Sequence, residues 1–277
     1  MKHEEMRWMA EDTLPLFARK WEPDNDNIKG IICLVHGLGE HSGRYSHWAE
    51  KLTGAEYATL AIDLRGHGRS EGHRGYTPSL DHYGDDISLL LDKAEEFYPG
   101  KPHFLYGHSL GGTLSAFFLI QRQPRINGAV ITSPCLHTVL DRQKHKIAMA
   151  RFFDLFFPSL SLASNLEQKD LSRDPAVISA YQNDPLVHDR VSARLGKGII
   201  DAVNYIFNRA TDITLPLLIM HGTEDRITFP SGSEKLAGLV SGECTLKLWD
   251  GLYHELHNEI EKDEVFAFLI KWLENRS

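Results

Sequence analysis

Six short apolar runs punctuate the chain: "GIICLVHG" (30–37), "YATLAIDLRG" (57–66), "HFLYGHS" (103–109), "GAVITSP" (128–134), "PLLIMHG" (216–222) and "CTLKLWDG" (244–251). Gly, Asp or Pro bounds each one. Most are apolar almost throughout, without strict alternation. That predicts strands covered on both faces of a parallel sheet. Between them lie stretches with apolar residues at helical spacing. "LDHYGDDISLLLDKAEEFYP" stops at Pro99 and "LGGTLSAFFLIQRQ" stops before Pro124; "SGSEKLAGLV" and "KDEVFAFLIKWLENR" follow later strands. Strand and helix alternate, so the pattern predicts a mostly parallel, doubly wound α/β sheet. The opening "MRWMA" and "LPLFARKWE" predict an antiparallel hairpin at one edge.

The alternation breaks between 136 and 209. That stretch reads as a helical cap inserted into an α/β core made of 1–135 and 210–277. Phe152, Phe153, Phe156 and Phe157 cluster in it. They suit packing of the cap on the core and equally the lining of a lipophilic entrance.

A length of 277 residues fits one large α/β domain with an insertion. The net charge of −8 argues against sequence-independent nucleic-acid binding, which needs basic surface. Three cysteines, Cys33, Cys135 and Cys244, form no CxxC pair and no disulfide framework; they read as reduced, buried thiols of an intracellular protein. "MKHEEMRWMAEDTLPL" lacks the apolar core of a secretory signal. The most apolar stretch, "IAMARFFDLFFPSLSLASNL", carries Arg151, Asp154 and Pro158, so no spanning helix is expected. A cytoplasmic protein follows as the expectation.

Two GxSxG patterns compete, "GHSLG" (107–111) and "GRSEG" (68–72). A serine hydroxyl needs a base to take its proton and a third group to orient that base. In a nucleophile elbow the serine sits on a strained turn between strand and helix, with glycines relieving the crowding. Ser109 has that context, since "HFLY" runs into it and "LGGTLSAFFLI" runs out. Ser70 lies in loop on both sides.

In the chain order serine, acid, histidine, the base must come late. Of 15 histidines, only His221, His254 and His257 lie beyond residue 188. His221 ends a strand. "GLYHELHNE" follows the last strand; His254 is nearer the strand end, and His257 reads as opening the final helix. Both Glu224 and Asp225 suit the acid by position. Two backbone N–H groups should hold the oxyanion. Leu110 follows the nucleophile, and Leu38 lies in the glycine-rich "HGLGEHSG" after the first parallel strand.

Taken together these motifs resemble the monoacylglycerol lipase and lysophospholipase-like branch of the α/β-hydrolases, over nearly the whole chain. "HGLGEHSGRY" (36–45) looks like that family's oxyanion loop. "DLRGHGRSEG" (63–72) is similar to the loop after its next strand, which accounts for the second serine pattern. "AYQNDPLV" (180–187) resembles a cap segment, "HGTEDRI" (221–227) the acid loop and "GLYHELHNE" (251–259) the histidine loop.

The resemblance implies an α/β-hydrolase fold with an inserted helical cap. It implies a Ser109, His254, Asp225 triad, an oxyanion hole from the Leu38 and Leu110 amides, and no cofactor. Positions matching the family's glycerol-binding residues are Glu40, Arg44, His108, Tyr181 and His257. Glu40 and Arg44 also suit a structural ion pair, and His108 a packing role at the elbow. The family's animal enzymes usually carry Met where this chain has Leu110; either residue supplies the same N–H.

The expected activity is hydrolysis of a lipid ester, with monoacylglycerol first. A lysophospholipase or an esterase of short or medium acyl chains is the alternative. A non-catalytic α/β-hydrolase binding protein is the remote one, since all three triad candidates are present. Peripheral membrane contact through the cap is a further expectation. "HELH" is not the HExxH of zincins, so no metal is expected.

Overall fold

In the computed structural model, residues 1–25, 27–139 and 151–277 are described. The part of the expected cap at 140–150 lies outside them. The described chain builds an eight-stranded sheet. β1 (Lys2–Met9) and β2 (Pro15–Glu22) form the antiparallel edge hairpin that the sequence predicts. β2 runs antiparallel to β4 (Tyr57–Ile62). The remaining strands, β3 (Gly30–Val35), β5 (His103–His108), β6 (Gly128–Thr132), β9 (Leu217–Gly222) and β10 (Cys244–Trp249), continue in parallel. Across the sheet the order is β1-β2-β4-β3-β5-β6-β9-β10.

Every residue of β3, β4, β5, β6 and β9 is buried. Side chains alternate across the sheet at period two. Ile31, Cys33 and Val35 of β3 therefore join one core layer, and Ile32 and Leu34 the other. The first layer also takes residues from α2 (Leu80–Phe97), α3 (Leu110–Arg122) and the insertion. The second is covered by α1 (Ser46–Gly54), which the hydrophobic pattern did not reveal, and by the C-terminal helix Lys262–Glu274. β1 at the open edge exposes Lys2, His3, Glu4 and Glu5; charge on an edge discourages pairing with another chain.

Between β6 and β9 the described residues add nothing to this sheet. They hold helical residues 151–156, α4 (Pro175–Asn183) and α5 (Ala193–Arg209). They also hold an antiparallel pair that helical spacing could not reveal, β7 (Ser161–Ala163) with β8 (Arg190–Ser192). The expectation of three buried thiols is corrected: Cys33 is buried inside β3, whereas Cys135 and Cys244 are partly exposed. Cys135 lies on a loop, and β10 is the outer strand of its edge, so neither is covered on both sides.

The parallel register brings the C-terminal ends of the strands together. Val35 pairs with Ile62 on one side and Gly107 on the other. The loops after β3, β9 and β10 and the turn after β5 thus leave the sheet at one edge, where open α/β sheets bind their ligands. The loop after β4 is pinned below them by Arg65. Its guanidinium donates to both carboxylate oxygens of Asp86 on α2 at 2.7 Å and to Asp12 of the β1–β2 turn. Arg65 and Asp86 are almost wholly buried. Removing one partner of such a pair strands the other. Asp86→Ala should therefore lower the unfolding free energy by roughly 3–5 kcal/mol, read from urea unfolding; a change within error would show that the pair does not hold the loop.

Candidate active site

Ser109 joins β5 directly to α3 with φ 54° and ψ −116°. That region is costly for any residue with a Cβ, by roughly 1–3 kcal/mol. The surroundings enforce it. A Cβ at Gly107 would lie 2.4 Å from Gly111 O and from Ser115 Oγ, and one at Gly111 would lie 2.1 Å from Val35 O. Only glycines let the turn close this tightly against β3. The strained residue still satisfies its backbone: its N–H donates to Thr132 O at 2.9 Å, and its carbonyl accepts from Thr113 N at 3.0 Å.

The structure brings the three chemical candidates into one line. His254 Nε2 lies 3.0 Å from Ser109 Oγ, and His254 Nδ1 lies 2.7 Å from Asp225 Oδ2. An ionised carboxylate only accepts, so Nδ1 carries the proton and Nε2 is left to accept from the serine. Asp225 follows β9 in a tight loop whose N–H groups it collects, from Ile227 at 2.8 Å and Thr228 at 3.0 Å to Oδ1. Glu224, the other acid suited by position, is exposed beside Arg226. Ser70 plays a structural part instead. It accepts from Phe17 N and donates to Asp63 O, bracing the loop after β4.

Burial alone would raise the Asp225 carboxyl. The charge of His254 and the hydrogen bonds from His221 and His254 outweigh it and hold the group well below the usual carboxylate range. Burial alone would lower His254. Asp225, by charge and hydrogen bond, outweighs that and raises it above the ordinary histidine value.

Two residues that the sequence pattern does not single out steady this line. His221 Nε2 stands 3.1 Å from Asp225 Oδ2, while its Nδ1 faces Ser233 Oγ at 2.7 Å. Thr228 Oγ1 lies 3.0 Å from the same carboxylate oxygen. The strand-end position of His221 hid its role, because the bond runs back from the following loop. Ser133, at the end of β6, supports the other side by donating to His254 O at 2.8 Å.

Ser109 opens into a cavity of about 360 Å³, within the range of small-molecule sites. Leu38 and Leu110 both line it. Leu110 is the first residue of α3, so its N–H has no partner within the helix and carries the positive end of the helix dipole. Gly37 comes so close that an added Cβ would sit 3.1 Å from Ser109 Cβ. The cavity lining mixes apolar side chains of the insertion, Val139, Leu166, Leu171 and Ile199, with polar and charged ones, among them Glu40, His108, Glu167, Asp170, Tyr181, Arg226 and Glu255.

The five positions matched to a glycerol site divide. Glu40, His108 and Tyr181 line the cavity. Arg44 stands behind it, donating to Glu40 Oε2 at 2.6 Å and, through both guanidinium nitrogens, to Glu255 at 2.6 and 2.7 Å. Its guanidinium also lies over the Tyr181 ring, 4.7 Å from the centroid. His257 is fully buried, stacked on Tyr45 at 4.5 Å and edge-on to His108 at 5.0 Å, and is not on the cavity wall. Glu255 belongs to the same charge cluster, yet its partner is 211 residues away and no local pattern announces it.

Burial opposes ionisation of Glu40, but Arg44 and then His108 and His36 hold it at about 2. Burial and the neighbouring His254 push His108 down to about 4, so it is neutral. Among the described residues no cluster could hold a metal ion, and no helix is long and apolar enough to cross a membrane.

Comparison with known proteins gives a consistent picture. The family described as "Serine aminopeptidase, S33" matches residues 26–261. An uncharacterized abhydrolase domain-containing protein of Dictyostelium discoideum is 33% identical over 97% of this chain, which spans only 28% of that protein's length. A monoacylglycerol lipase of Mycolicibacterium smegmatis is 33% identical over 91% of this chain and 90% of its own. The crystal structure of Paleococcus ferrophilus monoacylglycerol lipase superposes with a TM-score of 0.87 at 36% identity, covering 95% of this chain and 99% of that one.

Replacing Asp225 tests the electrostatics. A histidine that is to take the Ser109 proton must be neutral, and Asp225 raises the pKa of His254. Asp225→Asn should therefore move the acid limb of kcat/KM to lower pH. It should also reduce kcat by about 10³–10⁴-fold, because an amide no longer holds the tautomer. An unmoved limb with near-normal kcat would remove Asp225 from the chemistry.

Proposed function

The chain belongs to the serine aminopeptidase S33 family of α/β-hydrolases and is an ester hydrolase; from that premise we propose that it cleaves monoacylglycerol to glycerol and a fatty acid. The observation that carries this reading is His254 bridging Ser109 and Asp225 beside a cavity lined by both apolar and polar side chains. Val139, Leu166, Leu171 and Ile199 suit an acyl chain. Glu40, His108 and Tyr181 suit a small neutral alcohol, because Arg44 already pairs the Glu40 and Glu255 carboxylates.

In this mechanism His254 Nε2 takes the Ser109 proton as Oγ attacks the ester carbonyl. The Leu38 and Leu110 amides receive the developing oxyanion. Collapse breaks the bond to the glycerol oxygen, which leaves with the proton from His254. A water then loses its proton to His254 and attacks the acyl-enzyme. The second tetrahedral state releases the fatty acid and returns the proton to Ser109. Glu40, His108 and Tyr181 contact the alcohol, whereas Arg44 and His257 hold those residues from behind. No cofactor takes part.

We assign residues 1–135 and 210–277 to the catalytic core and 136–209 to a cap that selects the substrate. Phe152, Leu155, Phe156 and Phe157 of the cap are 58–75% exposed, and such neighbouring exposed apolar side chains suit peripheral contact with lipid. Cys33, Cys135 and Cys244 carry no disulfide among the described residues, which accords with an intracellular location.

A hydrolysis panel tests the substrate. Monoacylglycerol should be cleaved faster than di- and triacylglycerol, lysophosphatidylcholine and p-nitrophenyl butyrate, and Ser109→Ala should abolish turnover with the fold intact. Rapid p-nitrophenyl butyrate cleavage with little action on any lipid would point instead to an esterase of short acyl chains, and a preference for the lysolipid to a lysophospholipase. For the membrane contact, changing Phe156 and Phe157 to Ser should weaken liposome co-sedimentation. Unchanged binding by a folded variant would contradict it.

A further inference from the structure

The oxyanion loop, 36–41, is not held by the core alone. From inside, Glu40 Oε1 accepts from Gly37 N at 2.6 Å. From outside, the insertion reaches over and grips it twice. His188 N donates to Gly39 O at 2.8 Å, and Asp184 Oδ2 meets His41 Nε2 at 2.8 Å. The ring of His41 is orientated for this contact. Its Nδ1 accepts from Gly43 N at 3.1 Å, so Nε2 carries the proton and donates to Asp184. Asp184 is itself fixed, its Oδ1 accepting from Leu186 N at 2.9 Å.

The two segments meet backbone to backbone. Gly39 has φ +76°, and a Cβ there would lie 2.1 Å from His188 O. The seam continues below. Gly75 would place a Cβ 2.1 Å from Arg190 O, Ser192 N donates to Gly75 O at 2.9 Å, and His188 Nε2 faces Gly66 O at 3.1 Å. A contact this close leaves 184–192 no room to shift without moving Gly39, the residue next to the Leu38 amide.

We propose that Asp184, acting through His41, is a positioning residue of the oxyanion hole: this stretch of the cap is a fixed part of the catalytic loop rather than of a moving cover. The inference rests on the ester hydrolase reading with Leu38 as a donor. Asp184 does not line the cavity and touches neither Ser109 nor His254, so its loss acts on the transition state and not on substrate binding or the triad. Misplacement of a catalytic group by about 1 Å is enough to lower turnover about a hundredfold.

The test uses the full-length protein and p-nitrophenyl butyrate. Asp184→Ala should lower kcat by about 10–100-fold while KM stays within about twofold and the acid limb of the pH profile does not move. Asp184→Asn keeps an oxygen acceptor and should recover most of the loss. His41→Phe keeps the ring but removes both the bond to Asp184 and the bond from Gly43 N. It should lose at least as much as Asp184→Ala, and the double variant should lose no more than His41→Phe alone, because the Asp184 contact is already broken there. If Asp184→Ala does not fold, His41→Phe and Asp184→Asn carry the comparison. Normal kcat in the folded variants, a loss confined to KM, or additive losses would each overturn the inference. These outcomes presuppose an active wild type; a wild type inert toward every ester would overturn the functional reading and this inference with it.

Discussion

The turn at Ser109 is the constraint on which the rest of the site depends. The chain leaves a fully buried strand and enters a helix with no loop between them, at a φ that a serine adopts only under compulsion. The compulsion is steric. Gly111 lies against the carbonyls of Val35 and His36, and Gly107 against Gly111 and Ser115, so the helix N-terminus is pressed onto the end of β3. One consequence is that Oγ projects above the sheet edge. A second is that the Leu110 amide and the loop after β3 come to border one cavity. The backbone bonds from Ser109 N to Thr132 O, and to its carbonyl from Thr113 N, let the strained residue persist without an unsatisfied polar group.

Charge is arranged around that turn in two separate buried groups. Behind His254, Asp225 gathers two loop N–H groups and two imidazoles, which keeps it ionised in spite of burial. Across the cavity, Arg44 bridges Glu40 and Glu255 and reaches over Tyr181. Buried ions are tolerated only when paired and hydrogen-bonded, and here each pair also holds the surrounding chain. Glu40 fixes the Gly37 amide, and Arg44 ties the loop after β3 to the loop after β10. The Glu40 and Glu255 carboxylates therefore shape this part of the site as ions that Arg44 already pairs.

Much of this was legible in the sequence because it is local. Apolar runs of strand length marked all the parallel strands, and the strand–serine–helix context separated Ser109 from Ser70 without any structure. What stayed hidden is non-local or irregular. Helix α1 has Trp48, Ala49, Leu52 and Thr53 buried but begins straight from a 3₁₀ turn, with no side-chain cap to announce it. The β7–β8 pair is too short to show a period. Position alone left Glu224 and Asp225 equal; the loop that turns Asp225 inward and Glu224 outward depends on Thr228 and His221, which give no sign of it in the chain. Arg44 and His257, matched to a binding role by resemblance, stand behind the cavity wall because Glu255 and Tyr45 hold them there.

The central claim is that Ser109, strained on its elbow and paired to His254, is the nucleophile. The most direct measurement is mass spectrometry of the protein after reaction with a fluorophosphonate, followed by peptide mapping of the adduct. The account predicts one adduct per chain, on the peptide that contains Ser109, and none in Ser109→Ala. A label on Ser70 or elsewhere, or no label on folded protein, would contradict it.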